Sequence, residues 1–180
     1  MKRADLLRSM ASIASIGAIG GVAALPRAAR AADRQTPAIA VGKPFPLLSV
    51  VARDGTTYDV PASDGRPTLI AIFASDCGPC RIDMPRVAVR VGRLAERLFT
   101  IGFDLTESDD AAAAYIKKAN ISFPVATLAT TDKDFFGGGI LLPSFLFIDK
   151  AGVIRDLWSG ANDTDERDPL LGHLQKVGLN

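Results

Sequence analysis

Both cysteines of the 180-residue chain lie in one short motif, Cys77-Gly78-Pro79-Cys80. The motif follows an apolar run and precedes a segment with helical periodicity, which places it at a strand-to-helix junction. At a helix N-terminus, free backbone N–H groups and the positive end of the helix dipole stabilise a thiolate on the first cysteine. The spacing therefore predicts a redox-active pair that closes a small disulfide ring.

Two other uses of the cysteine pair stay open from the sequence alone. A zinc site needs about four ligands, but there is no second cysteine pair, and the one histidine, His173, is far away along the chain. A purely structural disulfide is compatible with the same spacing. The spacing favours redox chemistry over both.

Residues 1–31 have the three parts of a secretory signal. A basic start (Lys2, Arg3 and Arg8) is followed by an uncharged apolar stretch at 11–25 and a cleavage pattern, Ala29-Arg30-Ala31. This apolar stretch is short for a helix that must cross about 30 Å of hydrocarbon, so a retained membrane anchor is the less favoured alternative. We expect a soluble mature chain in the periplasm, reached by general secretion or by a relaxed twin-arginine route.

Removal of the signal changes the charge of the chain. Five basic residues and one acidic residue leave with it, so 16 basic and 19 acidic residues remain, a formal net charge of −3. No strongly basic surface is left to indicate nucleic-acid binding. In an oxidising compartment, a lone cysteine pair is a disulfide unless a donor reduces it.

The rest of the chain is predicted to be an extended leader at 32–44 and one domain at 45–178. Apolar runs at 45–51 and 56–60, on either side of an Asp-Gly turn, indicate a β-hairpin. Further strands are predicted at 67–74, 98–103, 123–128, 143–149 and 152–158, helices at 77–97, 106–120 and 166–177, and a helical turn at 132–136. This order predicts an α/β fold with a central mixed sheet and helices on both faces.

The element order, with C-G-P-C at the first strand-to-helix junction, resembles the thioredoxin fold. More narrowly, about residues 38–177 are similar to exported thioredoxin-like proteins of the TlpA/ResA type, which serve cytochrome c maturation and related periplasmic thiol reduction. The signal, the first hairpin and the segments 77–85 and 142–149 carry this resemblance. It implies a central mixed sheet flanked by helices, with an added N-terminal hairpin.

The resemblance also implies roles for individual residues. Cys77 would be the attacking thiol and Cys80 the resolving thiol, with a disulfide between them. Asp83 matches the family's acid three residues after the second cysteine and would carry the proton of Cys80. An ion pair between Asp83 and Arg86 on a solvated arginine-rich helix face (Arg86, Arg90, Arg93 and Arg97) is equally compatible with the sequence.

Four further residues are implied to bind the substrate. Gly78 and Pro79 match the dipeptide of reducing thioredoxins. Pro143 matches a cis-proline that lies against the disulfide in such folds and leaves the backbone of Leu142 to pair with an extended peptide.

Three positions depart from the family pattern. Asp76 replaces the usual aromatic residue before the first cysteine, and its carboxylate is expected to raise the Cys77 pKa against the effect of the helix. Ala71 stands where thioredoxins have a buried Asp, and Leu141 stands where relatives often have Gly.

No catalytic role is predicted for the other conspicuous residues. The glycines at 137–139 are expected to form a flexible loop, and Trp158 is expected to pack on the sheet. His173 receives no role.

Together these features predict an exported thiol–disulfide oxidoreductase that reduces disulfides in partner proteins. No cofactor and no metal are expected, because the electrons travel through the cysteines. By resemblance, a membrane thiol-transfer protein would be the electron donor. The alternatives are a disulfide oxidant or isomerase, and a non-catalytic folding helper with a structural disulfide.

Overall fold

A computed structural model describes residues 39–106, 108–128, 136, 140–159 and 170–179. The elements in this part of the chain are β1 (Leu48–Val51), β2 (Thr57–Val60), β3 (Thr68–Phe73), α1 (Gly78–Gly92), β4 (Phe99–Asp104), α2 (Asp109–Lys118), β5 (Val125–Thr127), β6 (Ser144–Ile148), β7 (Ile154–Ser159) and α3 (Leu171–Gln175). None of these helices is both long enough and apolar enough to cross a membrane.

Strand β3 is the centre of a five-stranded mixed sheet with the order β5-β4-β3-β6-β7. It pairs in parallel with β4 and antiparallel with β6. The register sets Phe73 beside Asp104 of β4, and Ile72 beside Ser144 of β6. The carboxyl ends of β3 and β4 and the start of β6 therefore meet at one edge of the sheet. The predicted fold class, a mixed sheet flanked by helices with an N-terminal hairpin, is confirmed.

The central sheet is buried on both faces, as the continuous apolar run in β3 predicts. Alternate side chains of a strand point to opposite faces. Leu69 and Phe73 accordingly belong to one hydrophobic cluster, while Ile70 and Ile72 belong to another.

Helices α1, α2 and α3 pack on one face of the sheet, whereas Phe136, the described residue of the predicted turn at 132–136, packs on the other. Met84 of α1, Tyr115 of α2 and Leu174 of α3 share one cluster, on what we call the helix face. Right-handed crossovers β3-α1-β4 and β4-α2-β5 step across the sheet in the same direction, which puts both helices on the same side. The opposite side, the hairpin face, is covered by β1 and β2 through Leu48 and Tyr58.

Helix boundaries differ from the predictions mainly at the carboxyl ends. Helix α1 ends at Gly92 and includes Pro85, and the chain continues to Leu98 through turns rather than as helix. Helix α2 begins after Ser108, whose hydroxyl accepts a hydrogen bond from the backbone of Ala111, as expected of a cap. The predicted turn at 132–136, apart from its last residue, the glycines at 137–139 and the start of the last predicted helix lie outside the described residues.

The end of the predicted leader is attached to the β6-β7 hairpin. The Gly42 N–H donates to the Ile154 carbonyl, and the Phe45 N–H donates to the Gly152 carbonyl, each at 2.8 Å. Gly152 closes that hairpin with a φ of 77°, a conformation that costs glycine little. Residues 42–45 therefore form part of the folded domain, and the Phe45 side chain is buried in it.

Candidate active site

The two cysteines lie at the start of α1 and form a disulfide, with their Cα atoms 5.3 Å apart. Cys77 is the N-cap residue, and its Sγ accepts a hydrogen bond from the Cys80 N–H at 3.1 Å. Pro79 occupies the first helical turn, where its missing N–H costs no helical hydrogen bond. The predicted position of the motif at a strand-to-helix junction is confirmed.

The two sulfur-bearing residues differ in exposure. Cys80 is 0% exposed, whereas Cys77 is half-buried and reaches the surface. Asp76, Gly78 and Pro79 beside it are exposed. Of the two cysteines, Cys77 alone therefore offers its sulfur atom to another protein. Within the described ranges, no group of three or more His, Cys, Asp or Glu side chains could hold a metal ion.

The peptide bond between Leu142 and Pro143 is cis, which confirms the expectation from the family resemblance. Because β6 begins at Ser144 opposite Ile72, Pro143 lies at the sheet edge from which the cysteine motif departs. Leu142 and Cys77 both pack against the helix-face cluster. The Ser144 hydroxyl donates to the backbone carbonyl of Leu141 and so holds this loop.

Asp83 is buried, with 1% of its surface exposed. It lies on the inward side of α1 together with Cys80, Met84 and Val87. Arg86, Arg93 and Arg97 are exposed, whereas Arg90 is partly buried and Asp83 is fully buried. The ion pair with Arg86 and the proton-transfer role of Asp83 both stay predictions.

Tyr115 of α2 contacts the second cysteine, which the sequence analysis missed. Its hydroxyl donates to the Cys80 carbonyl at 2.8 Å. Burial raises the pKa of Tyr115 to about 12, and the nearby charges of Asp104 and Asp83 add to the rise. The phenol therefore remains a protonated donor at neutral pH. Helical periodicity indicates that Tyr115 is buried, but it does not reveal this partner.

A hydrogen-bond chain holds the loop before Cys77. The Ser75 N–H donates to the Thr106 hydroxyl at 2.8 Å, and that hydroxyl donates to Asp104 Oδ1 at 2.5 Å. The Thr106 N–H donates to the same carboxylate oxygen at 2.9 Å. Asp104 is 0% exposed, at the carboxyl end of β4.

Arg53, in the turn between β1 and β2, reaches the other side of this carboxylate. Its Nη2 lies 3.5 Å from Asp104 Oδ2, and its Nη1 donates to Asp109 Oδ1 at 2.9 Å. The added hairpin therefore contacts the network beneath the cysteine loop. The Asp-Gly signal in the sequence predicts this turn but reveals no partner for Arg53.

His173 and Trp158 form an aromatic stack at the edge of the sheet. The Trp158 ring lies 4.7 Å from Phe145 and 5.3 Å from His173, and the His173 ring lies 5.1 Å from Phe147. His173 Nδ1 is also 2.5 Å from Asp156 Oδ2. The packing role predicted for Trp158 fits these contacts. His173, which received no role, has a structural one.

Comparisons with known proteins agree on one class. The family model Redoxin matches residues 40–172. The thiol:disulfide interchange protein DsbE of Pseudomonas fluorescens biotype C is 32% identical over 134 residues, which cover 72% of each chain. The thiol-disulfide oxidoreductase ResA of Bacillus cereus is 27% identical over 139 residues, covering 76% of this chain and 78% of that protein.

Solved structures show the same fold. A thioredoxin-family thiol:disulfide interchange protein from Chlorobium tepidum has a TM-score of 0.63 at 23% identity, covering 76% of this chain and 98% of that chain. StoA from Bacillus subtilis has a TM-score of 0.57 at 16% identity, covering 67% and 91%.

Proposed function

Since the chain belongs to the Redoxin family and is a thiol–disulfide oxidoreductase of the DsbE and ResA type, we propose that it reduces disulfides in exported partner proteins through Cys77 and Cys80. The observation that carries this proposal is the difference in exposure between the two sulfurs. An accessible thiol that attacks and a buried thiol that resolves are the two parts that disulfide exchange needs.

In the first step, the Cys77 thiolate attacks one sulfur of the substrate disulfide. A mixed disulfide forms, and the other substrate sulfur leaves as a thiolate. The N–H of Cys80, which already contacts Cys77 Sγ at 3.1 Å, would stabilise the attacking thiolate.

In the second step, Cys80 loses its proton and attacks Cys77 Sγ. The second substrate sulfur leaves, so the substrate gains two electrons and the Cys77–Cys80 disulfide re-forms. We assign the proton of Cys80 to Asp83, because that carboxyl is buried on the same inward side of α1.

The substrate would be an extended peptide held beside Cys77. Gly78 and Pro79 are exposed on one side of the sulfur, and Leu142 with the cis-Pro143 lies at the adjoining sheet edge. Leu141, next to this loop, is 68% exposed and supplies apolar surface. We assign these residues to substrate contact.

We further propose that the protein works in the periplasm after removal of residues 1–31. The basic start, the short apolar stretch and the cleavage pattern support export. A reductase in an oxidising compartment needs a source of electrons, which we assign to a membrane thiol-transfer protein. Apocytochromes c are the substrate class that the TlpA/ResA resemblance favours.

The test is a reduction assay with the purified chain, a small disulfide-bonded protein and a dithiol donor. We expect catalytic reduction by the wild type. Cys77→Ser, tested in parallel, removes the attacking sulfur. A wild type no faster than Cys77→Ser would instead favour the folding helper with a structural disulfide.

A further inference from the structure

We infer that Asp104 and Thr106 are positioning residues for Cys77, acting as a clamp on the backbone of Ser75. We call these two residues the loop clamp. The inference rests on the proposed role of Cys77 as the attacking thiol, and it adds residues that the cysteine motif does not contain.

The loop clamp is a directed chain of three groups. The Ser75 N–H donates to the Thr106 hydroxyl, and that hydroxyl donates its own hydrogen bond to the Asp104 carboxylate. A hydroxyl that donates to a charged acceptor is polarised and becomes a better acceptor itself. The Ser75 N–H is therefore held more firmly than by an isolated threonine.

Support for the carboxylate comes from two further directions. The Thr106 N–H donates to Asp104 Oδ1, and the Arg53 guanidinium lies 3.5 Å from Oδ2. A fully buried carboxylate is costly unless such partners satisfy it. The molecule thus retains a buried charge at the point where its loop needs a fixed anchor.

The clamp acts on Cys77 through two residues of backbone. Ser75 precedes Cys77 by two positions, and the Cys77 N–H returns to the Ala74 carbonyl at 3.3 Å. The position of Cys77 Sγ, 3.1 Å from the Cys80 nitrogen, depends on where this short loop is fixed. A looser loop would weaken that contact and make the thiolate less stable.

A matched control exists at the amino end of β3, the strand that precedes the cysteine loop. The hydroxyl of Thr68, the first residue of β3, accepts the Ala62 N–H at 2.8 Å, the same length as the bond between Ser75 and Thr106. Thr68→Val therefore removes an equivalent hydrogen bond far along β3 from the cysteines. It reports the effect of a lost threonine bond on the fold alone.

The experiment measures the alkylation rate of Cys77 against pH in the reduced full chain. We expect Thr106→Val to raise the Cys77 pKa and to slow alkylation below that pKa by roughly three- to tenfold. Thr106→Ser keeps the hydroxyl and is expected to restore the wild-type profile. Thr106→Ala removes the same bond with a smaller side chain, so the result does not depend on how Val fits. None of these variants replaces a charged residue near the cysteines (Asp76, Arg81, Asp83 and Asp104).

A titration that moves in Thr106→Val and Thr106→Ala but not in Thr68→Val supports the clamp. Profiles that coincide with the wild type in both Thr106→Val and Thr106→Ala overturn it, as does an equal shift in Thr68→Val. Failure of the wild type to reduce disulfides would overturn the proposed function but not the clamp, because the titration of Cys77 is measured without a substrate.

Discussion

At the amino end of β3, the Thr68 hydroxyl accepts the Ala62 N–H; beyond its carboxyl end, the Thr106 hydroxyl accepts the Ser75 N–H at the same 2.8 Å. The two bonds differ in what lies behind them. Thr106 leads to the buried carboxylate Asp104. Near the amino end, the carboxylate of Asp64 pairs with Arg66 at the surface instead.

This difference shows where the fold accepts the cost of buried charge. A buried carboxylate needs several hydrogen bonds to be tolerated, and an apolar residue would stabilise the core more simply. Asp104 and Asp83 are both buried on the helix face, in the region of the disulfide. In α/β sheets, functional sites form at the carboxyl ends of parallel strands. Both buried carboxylates lie near such a site here, the disulfide.

The largest effects are expected when the cysteines themselves are replaced. We expect Cys77→Ser to abolish disulfide reduction, because no accessible sulfur remains. Cys80→Ser keeps the attack but not the resolution, so it should accumulate mixed disulfides at Cys77. Mass spectrometry of the trapped adducts checks the site. If Cys80 proves the more readily alkylated residue in the reduced wild type, the two roles are reversed.

Gly102, midway along β4, tests how tightly the sheet is packed between its two ends. A Cβ there would lie 2.9 Å from Phe73 Cε1 and 3.2 Å from Val125 Cγ2. We expect Gly102→Ala to lower the free energy of unfolding by about 1–3 kcal/mol in urea denaturation. Gly92→Ala is the control, since its nearest neighbour is 4.0 Å away and Ala favours a helix. Equal stability of the two variants would contradict the tight packing.

Tyr115 gives a further test, through the stability of the fold at alkaline pH. Its folded-state pKa of about 12 lies above the ordinary value of 10.0, because the neutral phenol is favoured in the fold. The stabilisation is complete below pH 10 and is lost as pH rises from 10 to 12. Allowing for solvent screening, we expect a loss of about 1–2 kcal/mol.

The check is urea denaturation of the wild type and two variants across this pH range. Tyr115→Phe has no phenol to ionise at this site, so its stability should lack that alkaline loss. Tyr58→Phe removes a hydroxyl that bonds to the exposed Asp54 and should retain it. An unchanged alkaline loss in Tyr115→Phe would assign the effect elsewhere.

The smallest effect is expected at Asp76, the exposed carboxylate beside Cys77. Asp76→Asn removes a negative charge that disfavours the thiolate, so the Cys77 pKa should fall by roughly half a unit. Alkylation near neutral pH should then be about two- to threefold faster. Glu96→Gln, an exposed acid beyond the far end of α1, controls for net charge. An unmoved titration in Asp76→Asn would point to partner recognition as the role of Asp76.

Much of this arrangement is readable in the sequence because the signals are local. The C-x-x-C motif after an apolar run places both cysteines at the start of α1, and the apolar run at 68–73 predicts a strand buried on both faces. The cis bond before Pro143 follows from resemblance to a family rather than from the residues themselves.

The missed contacts are those between residues distant in the chain. Arg53 and Asp104 are 51 positions apart, and Tyr115 and Cys80 are 35 apart. No periodicity links such pairs. The sequence does place Asp104 at the end of a strand parallel to β3, so the rule on carboxyl ends was available as a signal. No signal in the sequence indicates that His173 stacks on Trp158.

The central claim is that the Cys77–Cys80 pair at the carboxyl end of β3 works as a reductant. Its reduction potential tests this most directly, measured by equilibrating the wild type with thiol–disulfide buffers and quantifying the two redox forms. We predict a value toward that of thioredoxin, about −270 mV. A value near that of the strong oxidant DsbA, about −120 mV, would contradict it and assign the protein to disulfide formation instead.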